Sequence, residues 1–292
     1  MTIFVAVSET IDVRRAGRRL RVLSGAACCA GLRRIPAGVN IKRYTLPDFL
    51  PDVPVEAVLA ALARSPGNEL ASGKFDSPES SAALAVNAFG WFLERAAMLP
   101  PLPGVPMGKP LAVEIEAEMR FPWKGGRHPW LDAAVTTATS LVGVESKRYE
   151  PFRPGKATMF TEAYDSRDWG PGMARHEMLR SRLIEGERSF RQLDAVQLIK
   201  HAYGLRTQAQ KRGLGAVLVY LHATPATWAN GKPLDPAAIK RHEAEIAAYA
   251  QAVKGDDVVF VPLRWADLLL QWAGKPELAA HAAAVNGRFA LL

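Results

Sequence analysis

Cysteine is almost missing from this 292-residue chain, and its two copies, Cys28 and Cys29, stand side by side. Adjacent thiols suit neither a disulfide framework nor a Cys-x-x-Cys zinc site, so a reducing cytoplasm is the expected setting. Long apolar runs are missing too. Nothing approaches the roughly 20 residues that a bilayer crossing needs, and no membrane partner is expected. The arginines ahead of the weakly apolar stretch Val22 to Leu32 imitate a signal peptide, but they lie too far from Met1 for export to be expected. The histidines, His128, His176, His201, His222, His242 and His281, never recur at His-x-x-x-His spacing, which argues against a zinc site. There is no Gly-x-Ser-x-Gly elbow, and Gly155-Lys156 lacks the earlier glycine and the following Ser or Thr of a phosphate-binding loop.

What is present is ordinary in amount and uneven in placement. With 49% hydrophobic and 23% charged residues the chain can bury a sizeable core, as one large domain or two small ones. The net charge of +8 sits almost wholly between Met1 and Leu46, where nine basic residues face Glu9 and Asp12. The rest is close to neutral, so global basicity does not mark the body as a nucleic-acid binder. The arm reads either as a segment that touches phosphates or as a loosely attached extension.

The body, 47–292, is expected to form one domain and begins with the proline-punctuated stretch Pro47 to Pro54. Val55 to Arg64 has helical spacing, and Ser77-Pro78-Glu79 opens a helix that runs from Ala82 to Met98 before Pro100-Pro101 stops it. Leu111 to Phe121 alternates as a strand, with Val113, Ile115, Ala117 and Met119 opposite Glu114, Glu116 and Glu118. The simplest reading of the three glutamates is a solvated face; Glu116 is the one best placed to lie near a metal. Strands at Pro129 to Val135 and Leu141 to Tyr149 follow across short turns, which predicts an antiparallel meander. Helices are expected at Gly172 to Ser189 and at Leu193 to Tyr203, the second ended by Gly204, and then the apolar strand Ala216 to Leu221. Helix Pro236 to Val253, strand Asp257 to Pro262 and helices from Trp265 and Pro276 complete the chain.

On the strand that ends at Tyr149, Glu145 and Lys147 share one face, because side chains alternate along a strand. A neighbouring strand carrying Asp132 would bring a second carboxylate beside Glu145, giving two hard oxygen donors of the kind Mg2+ prefers. The lysine would stand next to the water such a metal polarises. That set suits phosphodiester hydrolysis, in which a divalent cation stabilises charge on the phosphoryl oxygens and a lysine orients the attacking water. A Glu-x-Lys alone also arises on any solvated charged strand, so the order of the elements decides. Here the order is helix, three strands, helix, strand.

Motif and order together resemble the PD-(D/E)XK nuclease superfamily over roughly Gly67 to Leu221. The resemblance implies an α/β fold with a mixed sheet: a restriction-endonuclease-like αβββαβ core at about 67–222, a basic N-terminal extension at 1–46 and an αβαα appendage at 223–292. It implies Asp132, Glu145 and the main-chain carbonyl of Ser146 as ligands of Mg2+, with Mn2+ able to substitute, and Lys147 as the residue serving the water. It adds two candidates: Glu69 as a further acidic residue before the first strand, and Gln197, followed by Tyr203, as a brace on the helix after the third strand. Lys124, Arg127, Arg175, Arg180, Arg182, Arg188 and Lys200 are candidate phosphate contacts, or else solubility charges. The implied activity is that of a metal-dependent deoxyribonuclease, an endonuclease of restriction or defence type acting on duplex DNA, in which a homodimer would be natural. Two alternatives remain: a DNA-binding or assembly protein of the same fold that does not cut, and a structure-specific or exonucleolytic repair nuclease.

Overall fold

The computed structural model describes residues 2–7, 20–22, 40–45, 48–66, 73–123, 126–153, 159–164 and 169–292, the first three stretches as backbone alone. The chain divides into two units, Met1–Asp48 with Asn68–Asp76, and Phe49–Gly67 with Ser77–Leu292. In the first, where the sequence predicts only a basic extension, strands β1 (Thr2–Val7), β2 (Leu20–Val22) and β3 (Asn40–Thr45) form an antiparallel sheet in the order β2-β1-β3.

The second unit is built on a five-stranded mixed sheet. Its strands are β4 (Pro110–Glu118), β5 (Trp130–Thr137), β6 (Ser140–Lys147), β7 (Gly215–His222) and β8 (Val258–Arg264), in spatial order β4-β5-β6-β7-β8. The first three are antiparallel neighbours; β6, β7 and β8 are parallel. Helices precede β4 and separate β6 from β7, and β8 of the expected appendage is the fifth strand of the same sheet. Strands β6 and β7 are buried almost throughout, as parallel strands covered on both faces must be.

Helix α4 (Ala195–Lys211) covers one face of the sheet, with α3 (Ala174–Ile184) and α5 (Pro236–Val253) beside it. Asp194 caps α4 by accepting from the Gln197 N–H at 2.8 Å, and Leu198, Ile199, Ala202, Leu205 and Ala209 supply its buried stripe. The helix continues past Gly204, which the sequence reads as its end. A Cβ on Gly204 would lie 2.5 Å from the Met119 carbonyl oxygen, so this glycine permits close approach to the chain just after β4 and leaves the helix unbroken.

On the opposite face lie α1 (Val55–Leu62), α2 (Ser81–Gly90), α6 (Trp265–Ala273) and α7 (Pro276–Phe289). Phe89, Phe92, Trp265 and Trp272 meet there at ring-centroid distances of 5.2 to 6.0 Å. Two boundaries differ from the sequence reading. Ser80, not Ser77, caps α2, accepting from the Ala83 N–H at 3.1 Å, and the helix ends at Gly90, eight residues short of Met98. The alternation expected along Leu111 to Phe121 breaks at Glu116, whose φ of 48° lies in the left-handed region. Before it, Ile115 lies against Gly90 of α2; after it, Ala117 and Met119 join Leu205 and the other buried residues on the α4 side.

Candidate active site

The hairpin of β5 and β6 parts at its open end. Backbone pairing runs from Thr136 with Leu141 to Ala133 with Val144 and stops. One position further on, the Asp132 carboxylate takes the place of a ladder acceptor: its Oδ2 accepts from the Ser146 N–H at 2.6 Å. The Ser146 N–H thus points toward β5, whereas the Lys147 carbonyl points toward β7 and accepts from the Ala223 N–H at 2.9 Å. N–H and C=O of one extended residue share a direction, so the Ser146 carbonyl lies on the Asp132 side of β6, beyond the last paired residue of β5.

Glu145 and Lys147 project from β6 toward α4. One Glu145 oxygen, Oε1, lies 2.5 Å from Lys147 Nζ, and the other, Oε2, lies 3.3 Å from Nδ1 of His201 on α4; Glu145 itself is only 3% exposed. Across the sheet, Ile115 pairs with Ala133 and Ala117 with Leu131, which leaves Glu116 opposite Asp132. The break in alternation at Glu116 therefore falls at the level of the site. Just past β6, Glu150 accepts from the Ser81 hydroxyl at 2.5 Å and from the N–H groups of Arg148 and Tyr149.

Negative charge is in surplus here. Burial, then the neighbouring Glu145 and more weakly Glu116, push the Asp132 carboxyl well above its usual range, against the pull of Lys147 and the Ser146 N–H. Burial works against the Lys147 ammonium, but Glu145, Asp132 and Glu150 outweigh it and hold the lysine above its ordinary value. Burial likewise works upward on Glu150, yet Lys147 and the Ser81 hydroxyl keep that carboxyl below its usual range. Several carboxylates thus converge on one ammonium. No group of three or more His, Cys, Asp or Glu side chains able to hold a metal occurs among the described residues. The donors that fit a hard cation are two carboxylates, Asp132 and Glu145, with the Ser146 carbonyl as the third oxygen.

On the far side of β6, Tyr220 pairs in register with Glu145, and its hydroxyl lies 2.8 Å from Nε2 of His242 on α5. His222, in register with Lys147, is lowered to about 4 by burial and by Arg264.

The remaining sequence candidates separate into groups. Gln197, Lys200 and Arg127 line an open cleft of about 350 Å3 together with Trp130, Tyr164 and His201. Lys200 Nζ donates to the Met159 carbonyl at 2.6 Å. Tyr203 does not accompany Gln197: it is fully buried and stacks on Trp169 at 4.0 Å. Arg175 and Arg182 are exposed on α3, Arg180 donates to the Tyr164 carbonyl, and Arg188 lies over the Phe190 ring. Glu69 and Lys124 lie outside the described residues.

Two residues at the site were not singled out from sequence. His201 follows Gln197 by one helical turn, a spacing that puts both on one face of α4 and was available as a signal. Glu150 comes three residues after Lys147, past the strand end, where no periodic signal reaches it.

No protein-family model, no curated protein and no solved structure matches this chain.

Proposed function

We propose that the chain is a divalent-metal-dependent DNA endonuclease of the restriction-endonuclease-like kind. The observation that carries this reading is the convergence of Asp132, Glu145 and Lys147 at the point where β5 and β6 part, with the Ser146 carbonyl turned to the same side. Asp132, Glu145 and that carbonyl are the groups that would hold Mg2+ or Mn2+, and a bound ion would supply charge stabilisation at the phosphoryl oxygens. The chain's own residues do the rest. Lys147, kept protonated by Glu145, Asp132 and Glu150, is a donor and not a base: it orients the attacking water through a hydrogen bond and steadies the hydroxide formed when that water gives its proton to bulk solvent. His201 flanks the second oxygen of Glu145. Burial of Glu145 and Ser146 keeps the surrounding dielectric low, which strengthens each of these interactions.

One observation favours a second reading. The Glu145 to Lys147 contact at 2.5 Å is a closed ion pair, and a protein of this fold that binds DNA without cutting it would keep that pair permanently. Nicking of supercoiled plasmid with Mg2+ or Mn2+ separates the two. Cleavage by the wild type, abolished by EDTA and by Glu145→Ala and Lys147→Ala at equal folded fraction, is expected. Inert protein that still retards DNA on a gel would replace the nuclease with the binding module. Equal cleavage by all three proteins would remove these residues from the chemistry. Loss of linear DNA with the closed circle left intact would point to an exonuclease.

A further inference from the structure

The cleft beside the carboxylates has walls of an unusual kind. Trp130 on β5 is half-buried and presents part of its indole, whereas the Tyr164 ring and the His201 imidazole are almost fully buried behind the lining, Tyr164 held edge-on against Phe121 at 5.5 Å and Trp123 at 6.0 Å. Gln197 adds an amide that both donates and accepts, and Arg127 and Lys200 add cations. The volume, about 350 Å3, is that of a small-ligand site, for which the range is about 300–1,000 Å3. A planar face for stacking, a two-way amide for a base edge and cations for a phosphate are the chemistry by which proteins hold unpaired nucleotides. His201 ties the cleft to the carboxylates, since it lines the one and stands 3.3 Å from Glu145 of the other.

Resting on the nuclease reading above, we propose that this cleft binds one unpaired nucleobase next to the phosphate to be cleaved. The preferred substrate is then nucleic acid with a single-stranded stretch, a fork or a frayed end, or supercoiled duplex that opens locally, over relaxed uninterrupted duplex. A base inside a duplex is stacked and paired, and it enters such a cleft only by leaving the helix. Stacking on Trp130 and hydrogen bonds from Gln197 select for the base; Arg127 and Lys200 select for the phosphate attached to it.

The test is equilibrium dialysis of the full chain, in EDTA, against deoxyadenosine 5′-monophosphate and against deoxyribose 5-phosphate as the base-free control. Saturable binding of the nucleotide is expected, with the sugar phosphate weaker by about tenfold or more. Trp130→Leu and Gln197→Leu should each weaken nucleotide binding by about tenfold, while Trp130→Phe restores most of it, which a merely structural tryptophan would not do. Equal binding of the two ligands, or no nucleotide binding by folded protein, overturns the proposal. Because the assay excludes metal, it fails independently of the plasmid assay. Nucleotide binding without cleavage would remove the nuclease and keep the cleft, and cleavage without nucleotide binding would do the reverse. With both intact, forked DNA should be cut faster than blunt duplex.

Discussion

The two ends of the β5 and β6 hairpin are made of the same strands and behave as opposites. At the turn, the Thr137 hydroxyl accepts from the N–H groups of Thr139 and Ser140 at 3.2 and 2.9 Å and donates to the Ser140 carbonyl at 3.1 Å. Polar groups there are buried and satisfied, with Thr137 only 2% exposed. At the open end the ladder stops, a carboxylate stands in for a backbone acceptor, and acidic side chains crowd around one lysine. One end contributes stability; the other holds an electrostatic cost that a cation would relieve. Functional sites commonly show this kind of stored cost, sustained by a well-satisfied frame.

The strongest way to break the contrast is Asp132→Asn. The amide oxygen still accepts from Ser146, but one crowded charge is gone. Cleavage is expected to fall by about a hundredfold or more, the scale associated with disturbing a metal site. In EDTA the same variant should be more stable than wild type by about 0.5–2 kcal/mol, read from the denaturant midpoint. Lower stability together with lost activity would mean that Asp132 is a structural acceptor. The complementary change is Thr137→Val at the turn. It strands buried N–H groups and should cost about 1–3 kcal/mol in the same measurement, while the rate of plasmid nicking by folded protein stays as it was.

A smaller effect sharpens the comparison from the other flank of β6. Burial lowers His222 to about 4 and His242 to about 3, and it lowers His201 and His281 as well. The unfolded chain takes up these protons near pH 6.5, whereas the folded chain refuses them until lower pH. More protons are bound by the unfolded state throughout that window, so stability falls as the pH drops from about 6.5 toward 4. A melting temperature that declines over this range, with a shallower decline in His222→Asn, is the expected calorimetric result. A flat profile would mean that these imidazoles are not buried as neutral rings.

Much of this was legible in the sequence. Asp132, Glu145 and Lys147 lie on adjacent strands because alternation along a strand and short turns are local properties, readable from neighbours. The order of helices and strands was equally local. What escaped the sequence depended on contacts between distant segments. Gly204 resembles a helix stop until Met119 is seen pressed against it, and only then does its missing side chain make sense within α4. Glu116 looks like one member of an alternating trio, but its backbone turns the strand over, so that Ile115 and Ala117 serve opposite faces of the sheet. Of the strands within 1–46, Thr2–Val7 is an apolar, β-branched run that was legible as a strand, although the arginines after it give the segment the look of a basic arm. Tyr203 and Gln197 lie on different sides of α4, a separation of six residues that a helical count could have resolved.

The glycines of this site are as much a part of it as its acids. A Cβ at position 143 would fall 2.3 Å from a methyl of Leu131, and one at position 204 would run into main chain. Both vacancies lie where α4 is laid against the sheet, and that seating decides how near His201 comes to Glu145. Anyone transplanting the constellation onto another scaffold would therefore have to copy two absences along with the side chains, because a graft of the acids and the lysine alone would leave the helix standing too far off.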